Sequence, residues 1–437
     1  MSKETTKSLV PKLRFPEFRD MGEWNEKTLG EIATRISQKN IKGEINRVLT
    51  NSAVDGILDQ RDYFDKDIAN KNNLEGYFIV KEGDYVYNPR ASNIAPVGPI
   101  SKNKTGDGVM SPLYTIFRFN NNANDFYEQY FKTTCWYKYL QMISNSGARH
   151  DRLSISTSDF MDMPIPEPKP AEQQKIADCL SSIDELIAAQ NQKLETLKAH
   201  KKGLMQQLFP AEGETMPKLR FAEFRDAGEW EEIRFMDVTD KKTRWNFIGG
   251  PFGSNLKASD YVVDGIRIIQ LQNIGDAEFI DKYKNFTSEE KADELLSCNI
   301  YPGDIIVSKM GDPVGRACLI PNLHSRYIMC SDGIRVVVDE HRFNKYFIYT
   351  LINSIQFRSL VERNATGSTR KRIGLDTLKA LPMIVSNSIK EQQKIADCLL
   401  SIDEFIAALS QKIETLKTHK KGLMQQLFPN ASEADKQ

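Results

Sequence analysis

The sequence predicts a duplicated protein. Two globular bodies of mixed α/β or α+β character are joined by two long helices that pair as an antiparallel coiled coil, pseudo-twofold and quasi-cyclic. Three observations predict it. The stretch Glu172 to Pro210 returns at Glu391 to Pro429 with 33 of 39 positions identical. The segment PKLRFPEFRDMGEW from Pro11 returns as PKLRFAEFRDAGEW from Pro217. Between these repeats the sequence diverges strongly, yet landmarks recur at one constant offset: Gly83-Asp84 with Gly303-Asp304, Ser111 with Ser331, and Gly147 with Gly367.

The helices come first because their periodicity is the clearest signal. Apolar residues step alternately by four and three through Ile176, Leu180, Ile183, Ile187, Leu194, Leu197, Leu204 and Leu208, with Gln190 and Lys201 at the remaining steps. The second copy runs through Ile395, Leu399, Ile402, Ile406, Leu409, Ile413, Leu416, Leu423 and Leu427, with Lys420 as its polar step. This is a heptad seam, and two matching seams are natural partners. The first helix carries the chain from one body to the other and the second starts where that other body ends, so they are expected to run antiparallel. At about 1.5 Å per residue each is roughly 57 Å long. Pro170 suits a first helical turn, Ser388 to Glu391 has the capping-box pattern, and acidic residues lead while lysines trail, complementing the helix dipole.

The remaining elements follow in order, with divisions at 11–168 for the first body, 170–210 for the first helical repeat, 217–386 for the second body and 388–429 for the second repeat. In the first body the pattern predicts a short helix near Lys27 to Ile36. Strands follow at Tyr77 to Val80, Asp84 to Tyr87 and Tyr114 to Phe119, then a helix over Asp125 to Ser144, with turn-rich breaks at Asn70 to Asn73 and Asn103 to Asp107. PKLRF is read as the start of each unit, with a basic interaction arm as the alternative.

Composition bounds the function. Lys plus Arg equals Asp plus Glu at 59 each, so any polyanion site must be local. Six cysteines without CxxC spacing, and five histidines that do not cluster with them, argue against zinc. The N-terminus lacks a signal-peptide core, and no run of about 18 apolar residues occurs. A cytoplasmic protein without membrane insertion is expected. Nucleotide-triphosphate, zinc-protease and methyl-donor loops are missing, so neither catalysis nor a cofactor is expected. Asn88-Pro89-Arg90 has half of an adenine-methyltransferase tetrapeptide but lacks the second proline and the aromatic that would stack a flipped base.

Local positive charge recurs just before each long helix. Arg149, His150 and Arg152 follow Gly147, while Arg370, Lys371 and Arg372 follow Gly367. A glycine beside a basic cluster makes a loop able to approach phosphates, and arginine can fork onto guanine. The second landmark is a hairpin after each Gly-Asp turn. Its tip carries Asn88, Arg90, Ser92 and Asn93 in the first body, and Ser308, Lys309, Asp312 and Arg316 in the second. Alternation in Ile269, Gln270, Leu271, Gln272 places Gln270 and Gln272 on one strand face, where glutamine could pair with adenine.

Taken together, the chain resembles the specificity subunit of a type I restriction-modification system. The resemblance rests on family order: variable body, helical repeat beginning EQQKIAD, variable body, second repeat. GIRIIQLQNIG with GDIIVSKMGDPVGRACLIP, and GDYVYNPR with GVMSPLYTIFRF, resemble two types of target-recognition domain. The resemblance implies double-stranded DNA as ligand, each body reading half of an interrupted site. It also implies two methyltransferase subunits on the helices and motor and nuclease subunits joining for cleavage. It carries no residue-level base code, so the contact residues above rest on charge and position. A self-sufficient methyltransferase and a coiled-coil scaffold without DNA remain alternatives.

Overall fold

The computed structural model describes residues 9–63, 71–121, 125–146, 152–368 and 370–429. It divides into two compact units, Met1–Asn191 with Gln411–Gln437, and Gln192–Ser410. Each unit therefore holds one globular body, half of one long helix and the opposite half of the other. The helices span Pro170–Leu208 and Ile389–Leu427, 39 residues each.

Both units are built on one plan. In the first, an antiparallel sheet has the order Ala33–Ile36, Thr115–Phe119, Tyr85–Tyr87, Ile100–Lys102. In the second, the equivalent order is Phe247–Gly249, Gly333–Val336, Ile305–Ser308, Ala317–Leu319. A further pair closes each body by joining its first strand to its last: Asn25–Thr28 with Pro164–Glu167, and Glu231–Arg234 with Pro382–Val385. The long helix starts directly after that closure. The second layer has diverged. It is a five-stranded sheet with a central parallel pair, Ile266–Ile269 beside Tyr327–Met329, in the second unit. In the first it is two short antiparallel pairs, the hairpin Leu49–Ser52 with Gly56–Asp59 and the non-local pair Phe78–Val80 with Gly108–Met110, linked by a parallel bridge between Val48 and Val109.

Each Gly-Asp turn is a structural device. Gly83 and Gly303 take φ of +87° and +84°, which favour glycine. The following aspartate then turns inward. Asp84 accepts from Lys81 N at 2.7 Å and from Arg118 Nε at 2.6 Å. Asp304 accepts from Tyr301 N at 2.9 Å and from Arg335 Nε at 2.7 Å.

The cores explain the helix pairing. In the first unit Ile176, Ala177 and Leu180 from the start of the first helix, with Leu427 and Phe428 from the end of the second, complete an aromatic core around Trp24, Tyr85, Phe117 and Phe126. In the second unit Ile395, Ala396 and Leu399, with Leu208 and Phe209, do the same around Trp230, Phe235 and Phe347. Full burial of each such large side chain contributes about 1.5–3 kcal/mol. Within both units the two helices run antiparallel, and every residue of the predicted seam is buried or half-buried. The polar seam residues are paired: Lys420 Nζ lies 2.6 Å from Asp184 and Lys201 Nζ 2.6 Å from Asp403.

PKLRF is not a free arm but is tied to both long helices. Leu13 N donates to Gln426 O at 3.0 Å, and Leu219 N to Gln207 O at 2.9 Å, satisfying carbonyls in the last turn of one long helix. The arginine of the same motif reaches the start of the other helix. Arg14 forks onto Glu172 at 2.7 and 2.8 Å, and Arg220 onto Glu391 at 2.6 and 2.9 Å. All four side chains are almost wholly buried, and hydrogen bonding to the carboxylate raises both arginine pKa values.

Three local expectations change. The segment at Lys27 to Ile36 is strand, one helical turn (Leu29–Ile32), then strand. The helix over Asp125 to Ser144 splits into Phe126–Phe131 and Tyr137–Ile143, because Thr133 Oγ1 bonds back to Tyr130 O at 2.7 Å and accepts from Cys135 N. Ser388 caps its helix through Glu391 N at 3.4 Å, but the Glu391 carboxylate is taken by Arg220, so the capping box is half formed. No helix among the described residues is long and apolar enough to cross a membrane.

Candidate nucleic-acid interface

In each body two sequence-predicted clusters lie far apart in the chain, and the fold brings them together. In the second unit the tip that follows Ile305–Ser308 is tied to the basic loop by backbone alone. Gly311 N donates to Lys371 O at 3.1 Å, Ile373 N to Lys309 O at 2.9 Å, and Met310 bridges Arg372. In the first unit Leu153 N donates to Pro89 O at 3.0 Å and Arg90 bridges Arg152. Met310 stands to Arg90, and Arg372 to Arg152, at the same offset that separates Gly303 from Gly83, so the two bridges are equivalent. Gly147, Arg149 and His150 lie outside the described residues.

The second basic loop is shaped by Gly367, at φ +104°, where a Cβ would stand 2.7 Å from Arg370 O. Thr366 and Arg372 exchange backbone bonds of 2.9 and 2.8 Å across its base. Arg370 and Arg372 are exposed. Lys371 pairs with Glu362 and holds that carboxyl below its ordinary range. Ser308 is fully buried, its Oγ without a hydrogen-bond partner among the described residues. Arg316 is half-buried behind Gly311, and Lys309 is half-buried at the tip.

The first tip is made differently. Asn88 donates through Nδ2 to Asn51 O at 2.9 Å and accepts from Arg90 N at 3.0 Å. Its amide is engaged within the turn. Gly98 makes the close return possible, since a Cβ there would meet Asn88 O at 2.0 Å. Ser92 Oγ accepts from Ala95 N at 3.1 Å. Arg90, Ser92 and Asn93 are exposed.

The glutamines also differ from expectation. The strand ends at Ile269, and Gln270 is the N-cap of a short 3-10 turn, its N–H held by Asn273 Oδ1 at 2.9 Å. They share a network rather than a strand face. Gln270 Oε1 accepts from Gln272 at 3.1 Å and from Asn285 at 2.6 Å, while its Nε2 donates to Tyr261 OH at 3.1 Å. Gln272 is exposed, whereas Gln270 is half-buried.

Residues not singled out from sequence complete this edge. Lys309 N donates to Asp332 O at 2.7 Å, Gly250 N to Gly333 O at 2.9 Å, and Cys330 N to Ile269 O at 2.9 Å. Hairpin tip, basic loop, glutamine turn and the Pro251 to Asn255 turn are thus connected through one stretch, Cys330 to Gly333. The Gly-Gly-Pro-Phe-Gly run from Gly249 was the available signal: turn residues flanking an aromatic. In the first unit Asn51, buried beside Asn88 within the strand Leu49–Ser52, donates to Val86 O at 2.8 Å. The edge offers cationic forks and amides on a rigid backbone, a chemistry suited to phosphates and base edges.

Residues 21–199 and 228–418 match a family model described as the type I restriction modification DNA specificity domain. The chain is 23% identical over 429 residues to the type I restriction enzyme MjaVIII specificity subunit of Methanocaldococcus jannaschii, covering 95% of this chain and 93% of that one. It is 25% identical over 286 residues to the putative type I restriction enzyme MjaX specificity subunit of the same organism, covering 63% and 60%. Among solved structures, the type I restriction-modification S subunit from M. genitalium aligns with a TM-score of 0.55 at 13% identity, covering 96% and 99%. A chain from a structural study of type I R-M complex assembly and conformational transition aligns at 0.54 and 15% identity, covering 93% and 97%. These two structures share the fold.

Proposed function

The chain belongs to the type I restriction-modification DNA specificity family, non-catalytic targeting subunits, and we propose that each of its bodies reads one half of a bipartite double-stranded DNA site. The observation that carries this reading is the pairing of hairpin tip with basic loop, made in both units between equivalent residues. The bodies differ in surface but share this one basic edge. A shared feature suits the shared part of the ligand, so Arg149, His150, Arg152, Arg370, Lys371 and Arg372 position phosphates. Arg90, Ser92, Asn93, Gln272, Lys309 and Arg316 are better placed to discriminate bases. Asn88, Gln270 and Ser308 support the edge from behind.

The functional division follows 11–168, 170–210, 217–386 and 388–429. The near-identical helices dock two methyltransferase subunits and set the gap between half-sites. A helix of 39 residues is roughly 58 Å long, which caps the distance between half-site centres near 17 base pairs at about 3.4 Å each. Restriction and motor subunits join the same complex in the cytoplasm.

The test is salt-dependent binding by the assembled methyltransferase complex. Replacing Arg370, Lys371 and Arg372 by alanine lowers the log-log salt slope by about 0.9 per lost phosphate contact. The expected fall is nearer two contacts than three, because Lys371 is engaged by Glu362. Affinity falls alike for cognate and altered sites. Unchanged slope and affinity would remove this loop from the DNA interface, and loss confined to one base position would make it a reader instead.

A further inference from the structure

Phe252 is 83% exposed, yet the turn that carries it is pinned on both sides. Pro251 before it is buried, and Leu256 after it packs into the core of the five-stranded sheet. Asn255 N donates to Phe252 O at 2.8 Å and closes the turn. Upstream, Gly250 approaches Cys330 so closely that a Cβ would stand 1.8 Å from its carbonyl oxygen. An isolated exposed phenylalanine is ordinary. A phenylalanine that cannot fold back, on a turn wired to the same stretch as Lys309 and the glutamine network, is not.

We propose that Phe252 is an aromatic wedge that stacks on, or inserts between, bases of the half-site bound by the second body. The proposal rests on the DNA reading above and adds to it a contact that neither charge nor hydrogen bonding supplies. Apolar side chains presented beside cationic groups unstack a base step and kink the duplex, and the cost of that deformation depends on the step deformed. The wedge therefore contributes to sequence preference at a position no polar side chain reads. DNA is favoured over a protein partner as its occupant because the turn is continuous with the basic edge.

The experiment uses the full chain assembled with its methyltransferase subunits, and a cognate duplex carrying 2-aminopurine at successive positions of the half-site. Wild type gives a fluorescence rise at one step. Phe252→Ala abolishes that rise and weakens cognate binding about tenfold, within the range of base-aromatic stacking, without changing the salt slope. Phe252→Trp retains both. The side chain lies outside the core, so a thermal melt stays unchanged. Full fluorescence and affinity in Phe252→Ala overturn the wedge while leaving the DNA reading intact. Loss of methyltransferase assembly in the absence of DNA overturns it in favour of a protein contact. Absence of any site-specific binding by the wild-type complex overturns the DNA reading itself.

Discussion

The two junctions where a body meets the long helices use the same residues, but only one is fully satisfied. In the second unit Glu391 takes the fork of Arg220, the indole N–H of Trp230 at 3.2 Å and the hydroxyl of Ser386 at 2.5 Å. In the first unit Glu172 takes the fork of Arg14, while the buried indole nitrogen of Trp24 has no hydrogen-bond partner among the described residues. The same repeated tryptophan thus reaches the carboxylate in one unit and not in the other, and Ser386, from the divergent body, adds a further bond to Glu391. The repeat sets the frame, and divergence reaches up to its second neighbours.

The largest effect that tests this contrast comes from removing the carboxylates. Glu391→Ala strands a buried arginine, an indole and a hydroxyl, and costs at least about 3–5 kcal/mol. Glu172→Ala strands only the arginine and lies at the lower end of that range. Urea denaturation of the full chain measures both. Equal losses would show that the indole and the hydroxyl add nothing, and a loss below about 1 kcal/mol at either site would contradict the burial of the pair. Pairing each change with Arg14→Met or Arg220→Met recovers most of the stability, because the damage lies in the stranded charge.

A finer comparison uses the two tryptophans. Trp24→Phe and Trp230→Phe remove similar packing, so their difference isolates one hydrogen bond to a carboxylate. Trp230→Phe should cost about 1.5–3 kcal/mol more than Trp24→Phe. If the two variants melt together, the Trp230 bond contributes nothing net.

How much of this is legible in the sequence depends on distance along the chain. The helices are readable because a heptad is a local pattern, and every seam residue lies where the spacing puts it. The basic loops and hairpin tips stand out separately, by their recurrence at one fixed offset, but their pairing does not, since nothing local joins Arg90 to Arg152. The role of PKLRF escapes for the same reason: Arg14 and Glu172 are 158 residues apart. A signal does exist. Arginine and glutamate recur together in both repeats while the intervening bodies diverge, as expected of residues that meet. Local reading fails where side chains compete with the backbone, at Asn273 beneath Gln270 and at Thr133 within the split helix.

The smallest expected effect concerns the seam pairs, where the units differ again. Asp403 receives Lys201 and the hydroxyl of Tyr346, whereas Asp184 receives Lys420 and Gln129 with Lys132 at 3.5 Å. Asp184 is the more exposed, at 39% against 28% for Asp403, so Asp184→Asn should cost less than Asp403→Asn. After solvent screening it should cost no more than about 1 kcal/mol. For Asp184 burial alone would raise the pKa, but the hydrogen bond from Lys420 and the charges of Lys132 and Lys420 outweigh it and hold the carboxyl below its ordinary 3.8. A depressed carboxyl contributes stability that is fully present above its unfolded value and lost as pH falls through the folded value. The gap between wild type and Asp184→Asn is therefore expected to stay constant from neutral pH to about pH 4 and to close below it. Urea midpoints measured across that range decide the matter. A gap that closes between pH 5 and 7 would assign the acid sensitivity to another group, and one that persists at pH 2 would mean that the aspartate acts by shape rather than by charge.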